Sequence, residues 1–286
     1  MHVAVMAAEA LEWLAVRAEG TYLDTTAGLG GHAGQIASRL TSGRLIANDR
    51  DPESLELARR NTAAFAERIC FHQGTFSELA RALPACGVER VDGLLADLGV
   101  SRYQLTEPAR GFSFLAEGPL DMRMNQTMGI TAADLVNQTA EKALADLIYQ
   151  LGEERRARRI ARAIVRARPI RSTLHLARIV EQAVPRTSHL HPATRTFMAL
   201  RMAVNDEQGE LDSLLRIGPD LLAPGGRLVV IAFMSLEDRK VKVRFRELAH
   251  QGRAVILTKH PLTPTEEETG SNPASRSAKL RALEMK

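Results

Sequence analysis

The chain has 286 residues, of which 45% are hydrophobic and 25% are charged, as is typical of a globular protein with one large or two modest domains. No apolar run reaches the roughly 18 residues that a membrane span needs. Because the apolar N-terminus carries Glu9 and Glu12, it predicts an amphipathic helix rather than a signal peptide. The two cysteines, Cys70 and Cys86, form no CxxC pair. We therefore expect a cytoplasmic protein with no disulfide, no metal site and no membrane partner.

A glycine-rich turn follows the first predicted strand. That strand covers residues 21–24, ends at Asp24, and leads through the letters TTAGLGG into a predicted helix. Glycines allow a tight turn and a close approach of a ligand to the backbone. A second apolar stretch leads to Asp49, twenty-one residues after Gly28. Nucleotide-binding folds carry at this spacing the carboxylate that accepts hydrogen bonds from ribose hydroxyls, so the pattern predicts an adenosine-containing ligand.

Two ligand classes remain open for this turn. The spacing of Gly28, Gly30 and Ala33 satisfies the GxGxxA fingerprint of nicotinamide-dependent oxidoreductases. However, Asp24 closes the strand before the turn, and an acid there suits a ligand that carries an amine. S-adenosylmethionine has a cationic amino group for such an acid and a carboxylate for a helix N-terminus.

Strands and helices alternate through the first hundred residues. After the strand that leads to Asp49, we predict helices over 52–63 and 77–83 and strands over 69–72 and 91–95. This alternation is typical of a doubly wound α/β sheet. Asp97 follows the last of these strands, and we expect it to share one crevice with the Gly28 turn at the carboxyl edge of the sheet.

The alternation stops after Ser101 and resumes about ninety residues later. Helical patterns cover residues 131–184, and then a helix over 193–222 and a strand over 227–233 continue the α/β pattern. An inserted helical domain explains the interruption. We predict a cofactor-binding domain of residues 1–104 and 193–286, with an inserted domain of residues 105–192.

The strongest electrostatic feature lies in the predicted insertion. Eight arginines occur between positions 155 and 171, whereas apolar residues recur at helical spacing from Ala157 to Ile164. A solvated helix face is the simplest interpretation. The arginines nevertheless pair well with phosphate, so the pattern also predicts contact with nucleic acid.

Motifs along the whole chain resemble the ribosomal RNA small subunit methyltransferase H family. They are, in order, DTTAGLGGH, DRDP, DGLLADLGVS, RGFSF, GPLDMRM, GEER, HPATRTF, ALR, PGGRL, SLEDR and NPxxRSAKLR. The resemblance implies a Rossmann-like class I S-adenosylmethionine-dependent methyltransferase. It also implies the substrate, the exocyclic N4 amine of a decoding-centre cytidine in 16S rRNA of the small ribosomal subunit.

The same resemblance assigns site residues. It implies cofactor contacts by Gly30, Gly31, His32, Asp49, Phe76, Asp97 and Gln104. We expect Asp97, or the carbonyls beside it, to polarise the cytidine amine, although cofactor binding alone would equally explain this residue. We expect RNA contacts by Arg110, Arg123, Arg155, Arg159 and Arg162. Phe76 could instead be a core residue, and His32 could simply cap a helix.

The chain also departs from the family pattern at four positions. They are Arg102, Met198, Met234 and Ala274, where the family commonly has serine, glutamine, histidine and arginine. No histidine can therefore act as acid or base at position 234.

A non-catalytic RNA-binding or assembly protein and a nicotinamide-dependent oxidoreductase remain alternatives, and the sequence predicts no oligomeric state.

Overall fold

The protein consists of two compact units. The structure, a computed structural model, describes residues 4–185 and 190–286. The first unit combines Met1–Ser101 with Gln208–Lys286, and the second is Arg102–Glu207. Within the described residues, no helix is long and apolar enough to cross a membrane.

The first unit begins with alternating helices and strands. They are α1 (Ala7–Leu14), β1 (Thr21–Asp24), α2 (Gly31–Arg39), β2 (Arg44–Asp49), α3 (Pro52–Asn61), β3 (Ile69–Gln73), α4 (Leu79–Ala85) and β4 (Val91–Asp97). Local signals explain several ends. For example, α3 begins where the Asp51 carboxylate accepts hydrogen bonds from the N–H groups of Glu53 and Ser54, with Pro52 in the first turn. These elements confirm the predicted α/β alternation.

The second unit is helical. Its helices are α5 (Arg102–Thr106), α6 (Ala132–Gln138), α7 (Glu141–Gly152), α8 (Ala157–Arg166), α9 (Thr173–Ala183) and α10 (Thr194–Val204). The unit extends beyond the expected boundary at residue 192 because α10 packs against α7. The packing is close: a Cβ atom on Gly152 would lie 2.5 Å from the carbonyl oxygen of Arg195. The helix expected over 193–222 is therefore divided, with Asp206 in the left-handed region at φ 45°.

The chain then returns to the first unit and completes its sheet. The remaining elements are α11 (Glu207–Leu221), β5 (Leu222–Ala232), α12 (Ser235–His250), β6 (Ala254–Ile256), α13 (Glu266–Ser271) and β7 (Lys279–Met285). The strand order is β3-β2-β1-β4-β5-β7-β6. Strands β3, β2, β1, β4 and β5 are parallel, whereas β7 is antiparallel to both neighbours.

This topology positions the candidate site. Buried side chains cover both faces of the sheet, with Leu23 and Leu94 in one core cluster and Tyr22 and Leu95 in the other. Strands β2 and β3 are added on one side of β1, whereas β4 and β5 are added on the other, so the carboxyl ends of β1 and β4 form the switch point where doubly wound sheets bind ligands. The antiparallel β7 differs from the classic 3-2-1-4-5-6 order of dinucleotide-binding folds and argues against the oxidoreductase alternative.

One expectation about the cysteines is wrong. Cys70 in β3 and Cys86 after α4 form a disulfide, with Cα atoms 6.0 Å apart. The two residues lie sixteen positions apart in a spacing that matches no motif. Only the packing of α4 beside the sheet brings them together.

Candidate functional site

The turn after β1 leaves backbone donors open at the start of α2. Gly28 and Gly30 have φ values of 51° and 86°, in the region that favours glycine. A Cβ atom on Gly30 would approach Thr62 Cγ2 to 2.9 Å, so packing also requires a glycine there. Among the described residues, no side chain caps α2, which begins at Gly31. Its first N–H groups and the helix dipole can therefore bind an anionic group.

Asp49 lies at the carboxyl end of β2 and faces this turn. Its Oδ2 accepts a hydrogen bond from Gly28 N–H at 2.7 Å, and its Oδ1 accepts one from Asp51 N–H at 2.9 Å. Burial raises the pKa of Asp49 to about 6, although these two hydrogen bonds act in the opposite direction. Asp49 as a residue is half-buried, and a carboxylate oxygen with two lone pairs can accept a further hydrogen bond from a ligand's hydroxyl group.

Asn48 connects this turn to the segment that carries Phe76. The Asn48 amide donates to the carbonyl oxygens of Thr25 and Gly74 at 3.3 and 3.0 Å. Phe76 begins a short 3-10 turn whose preceding residue, Thr75, donates to Glu78. The ring of Phe76 packs against one core cluster yet remains partly exposed, so it can be both a core residue and an apolar surface for a purine.

Asp24 is a fully buried carboxylate at the carboxyl end of β1. Its Oδ1 accepts a hydrogen bond from Thr26 N–H at 3.1 Å. Its Oδ2 is buried and has no hydrogen-bond partner anywhere in residues 4–185 or 190–286. Burial raises the pKa of Asp24 to about 6 in spite of the nearby His32. Such an oxygen is suited to a cationic amine that enters from the ligand side.

His32 and Asp97 lie beside Asp24 and form an ion pair. His32 Nε2 is 3.4 Å from Asp97 Oδ2, and the imidazole is almost completely buried. Asp97 N–H donates to Thr26 Oγ1 at 2.7 Å, which ties the end of β4 to the turn after β1. Asp97 Oδ1 is buried, and the part of the chain that the structure describes offers it no hydrogen-bond partner.

The arrangement fits the polar groups of S-adenosylmethionine. Asp24 offers an unpaired carboxylate oxygen for the amino group, the start of α2 offers N–H groups for the carboxylate, and Asp49 faces the expected ribose position. Phe76 supplies an apolar surface for adenine. A second unpaired oxygen, on Asp97, remains for another hydrogen-bond donor.

Most of the expected cofactor residues thus come together in the first unit. Gly30, Gly31, His32, Asp49 and Asp97 all lie at the carboxyl ends of β1, β2 and β4 or at the start of α2. Gln104 lies in α5 of the second unit, where it is buried, and its cofactor contact stays a prediction.

Sequence reasoning missed three supporting residues. Thr26 and Asn48 hold the turn in place, and only their hydrogen bonds reveal that role. Glu268 in α13 acts electrostatically on His32 across 236 positions of sequence. No spacing signal could have identified it.

The arginines of the second unit fall into two groups. Around α8, one face buries Ala157, Ile160, Ala161 and Ile164, and the opposite face exposes arginines. We call these exposed residues the arginine stripe: Arg155, Arg158, Arg159, Arg162 and Arg166. Within the stripe, Arg162 Nε lies 3.4 Å from Glu141 in α7.

Arg110 and Arg123 differ from the stripe. The Arg110 side chain is 2% exposed, and its guanidinium donates to the carbonyl oxygens of Arg123 and Met124 at 3.0 and 2.7 Å. These hydrogen bonds support the loop from a buried guanidinium, and the phosphate contact expected of Arg110 stays a prediction. Arg123 forms two 2.8 Å hydrogen bonds with Asp121 and offers little free surface.

The chain is similar to known proteins over its full length. A family model described as the MraW methylase family matches residues 1–286. A ribosomal RNA small subunit methyltransferase H from Solibacter usitatus is 70% identical over 286 residues, which cover 100% of both chains. A protein of the same name from Acidobacterium capsulatum is 55% identical, and the match covers 100% of this chain and 98% of that protein. Another from Geobacter sulfurreducens is 50% identical, and the match covers 99% of this chain and 98% of that protein.

Proposed function

Because this chain belongs to the MraW methylase family, we propose that it methylates 16S rRNA of the small ribosomal subunit with S-adenosylmethionine. The proposed acceptor is the exocyclic N4 amine of a decoding-centre cytidine. The observation that carries the proposal is the pair of unpaired, buried carboxylate oxygens on Asp24 and Asp97, at the carboxyl ends of β1 and β4. One suits the amino group of the cofactor, and the other suits the amine of the substrate.

When bound, the cofactor supplies a methyl group activated by a sulfonium. The protein must then position that group and the acceptor nitrogen, and alignment of this kind lowers a barrier strongly. In our proposal, Asp24 holds the amino group, Asp49 holds the ribose hydroxyls and the start of α2 holds the carboxylate. Phe76 covers the adenine. For Gln104, a cofactor contact remains what the family resemblance implies.

The acceptor nitrogen of cytosine needs assistance because its lone pair is delocalised into the ring. An acceptor for one of its hydrogens increases its nucleophilicity as the new bond forms. Asp97 Oδ1 is buried and has no hydrogen-bond partner among the described residues, so it is the acceptor that we assign. It also takes the proton that the nitrogen loses once the methyl group has been transferred.

The arginine stripe is the proposed RNA contact of the second unit. Its five exposed guanidinium groups offer paired donors of the kind that bind phosphate. A cytidine must also leave its stack to reach a methyl donor, and arginine contacts to the backbone can hold the flanking nucleotides in place.

The test is transfer of labelled methyl groups to small ribosomal subunits purified from cells that lack this modification. We expect label in 16S rRNA, and nucleoside mass spectrometry should identify it as N4-methylated cytidine. A label at a different atom or nucleotide would overturn the proposed acceptor. If S-adenosylhomocysteine binds but no label enters any RNA, the non-catalytic RNA-binding alternative becomes the better explanation.

A further inference from the structure

We infer that His32 is a positioning residue for Asp97: its ring lies against one carboxylate oxygen and leaves the other oxygen directed at the substrate amine. This inference rests on the proposed function and gives a second role to a side chain for which the family resemblance implies only a cofactor contact. It starts from the position of the ring, which is in contact with Asp97 and within electrostatic range of Asp24.

The geometry distinguishes the two oxygens of Asp97. Oδ2 faces His32 Nε2 at 3.4 Å, whereas Oδ1 is buried and unpartnered within the described residues. The backbone of Asp97 is also held, because its N–H donates to Thr26 Oγ1 at 2.7 Å. Since main chain and one oxygen are both restrained, the remaining oxygen has a defined direction.

The surroundings of His32 favour its charged form. Burial by itself lowers the pKa of His32, but the close contact and charge of Asp97, together with the charges of Asp24 and Glu268, raise it above its ordinary value. These carboxylates belong to β4, β1 and α13. The imidazolium in turn lowers the pKa of Asp24, although burial dominates there. His32 is therefore easier to protonate beside Asp97 than an ordinary histidine.

Asp97 and His32 have different tasks in the transfer step, because only Asp97 accepts a proton from the substrate. The acceptor nitrogen forms its bond to the methyl carbon, and the electron pair of the carbon–sulfur bond stays on sulfur. The nitrogen then loses one proton to Asp97 Oδ1, and the proton leaves to water when the product departs. His32 keeps its own proton throughout, so its contribution is orientation and charge.

Two substitutions separate these contributions. His32→Gln keeps a nitrogen donor near the position of Nε2 but removes the charge, and His32→Leu removes both. We expect kcat to fall in both variants and to fall further in His32→Leu. The kcat–pH profile should change in both variants, because each removes the ionisable ring beside Asp97. Affinity for S-adenosylhomocysteine should change far less than kcat. His250→Gln, an exposed histidine at the end of α12, is the matched control.

A second measurement needs no turnover. In the ligand-free protein, NMR titration of the histidine ring signals should show His32 with a pKa above 6.5, and Asp97→Asn should lower it. A pH profile that is unchanged in both His32 variants would overturn the inference, as would a His32 pKa that does not respond to Asp97→Asn. If the wild-type protein methylates no RNA, the proposed function fails, whereas the titration still decides whether His32 and Asp97 form the ion pair.

Discussion

At the scale of single residues, the site holds acidic side chains in surroundings that oppose their charge. Burial raises the pKa values of Asp24 and Asp49 to about 6 in the ligand-free protein. A carboxylate kept in such a place costs folding free energy at neutral pH. The physical gain is a strong acceptor that needs no reorganisation when a cationic or hydroxyl-bearing ligand arrives.

This cost predicts a pH-dependent stability effect of Asp24→Asn. A folded-state pKa raised from 3.8 to about 6 means that the wild-type protein loses stability as the pH rises through this window. A shift of about two units corresponds to about 3 kcal/mol. The free energy of unfolding of Asp24→Asn minus that of the wild type should therefore increase by up to this amount from pH 4 to pH 8. Urea denaturation at both pH values measures it, and a constant difference would contradict the assigned cause.

Asp49 predicts a pH-dependent affinity for the cofactor. Ribose hydroxyls bind the ionised carboxylate, so below pH 6 ligand binding must first displace a proton. Calorimetry should show that, as the pH is lowered below 6, protonation of Asp49 reduces the affinity for S-adenosylhomocysteine by up to about tenfold per pH unit. Asp49→Asn should bind weakly at pH 7.5 and show a flatter dependence. Asp146→Asn, an exposed residue of α7, should behave like wild type.

At the scale of elements, helical periodicity places the apolar residues and the arginines of α8 on opposite faces. Its apolar residues are buried, and the arginine stripe lies on the opposite side. The sequence predicted this division correctly because a period of 3.6 residues determines which side chains share a face. It did not predict that Arg110 is buried, because a loop arginine carries no periodicity.

The arginine stripe predicts a salt-dependent loss of RNA binding. Replacing Arg155, Arg159 and Arg162 by alanine should weaken affinity for a 16S rRNA fragment at low salt. The slope of log affinity against log salt should decrease by about 2, since each phosphate contact contributes roughly 0.7 to 0.9. The control replaces Arg39, Arg60 and Arg246, exposed arginines of the first unit, and changes the net charge equally. Equal slopes for the two triple variants would assign the stripe to a solvated surface.

The disulfide predicts that reduction destabilises the segment that carries Phe76. Cys70 and Cys86 close a loop that contains Phe76, and a loop of this length restricts the unfolded chain by about 3 kcal/mol. Reduction should lower the melting temperature and weaken binding of S-adenosylhomocysteine. The double variant Cys70→Ser with Cys86→Ser should match the reduced protein. Quantitative alkylation of both thiols in native, unreduced protein would show that the bond is absent.

At the scale of the whole molecule, the first unit is assembled from both ends of the chain. Strands β1 to β4 precede the second unit, and β5 to β7 follow it. The last strand, β7, lies between β5 and β6 and buries Leu280, Ala282 and Leu283. A sheet that depends on its final residues for an interior strand cannot tolerate their loss.

Deletion of residues 279–286 therefore tests the assembly. We expect the shortened chain to lose its cooperative thermal transition and its stabilisation by S-adenosylhomocysteine, because β5 and β6 would both lose a partner. Circular dichroism and hydrogen exchange measure this loss. Removal of Lys286 alone should have little effect. A shortened chain that still melts cooperatively with bound ligand would show that β7 is dispensable.

Much of this architecture could be predicted from local pattern. The strands that lead to Asp24, Asp49 and Asp97 were all identified, and the family resemblance is confirmed by a match over the full chain. The second unit ends at Glu207 rather than at the expected residue 192 because α10 packs against α7, a contact that no local pattern records. Strand β7 was missed because NPxxRSAKLR reads as a basic motif rather than as a buried strand.

The sequence by itself determined the α/β alternation, the cofactor turn and the arginine face, because glycine geometry and side-chain periodicity act between near neighbours. Only the tertiary structure decided what depends on distant segments. It brought His32 against Asp97, placed Asp24 and Glu268 within electrostatic range of His32, and joined Cys70 to Cys86. The physical reason is that burial and charge depend on which segments meet in space, and folding brings together residues that spacing along the chain leaves unrelated.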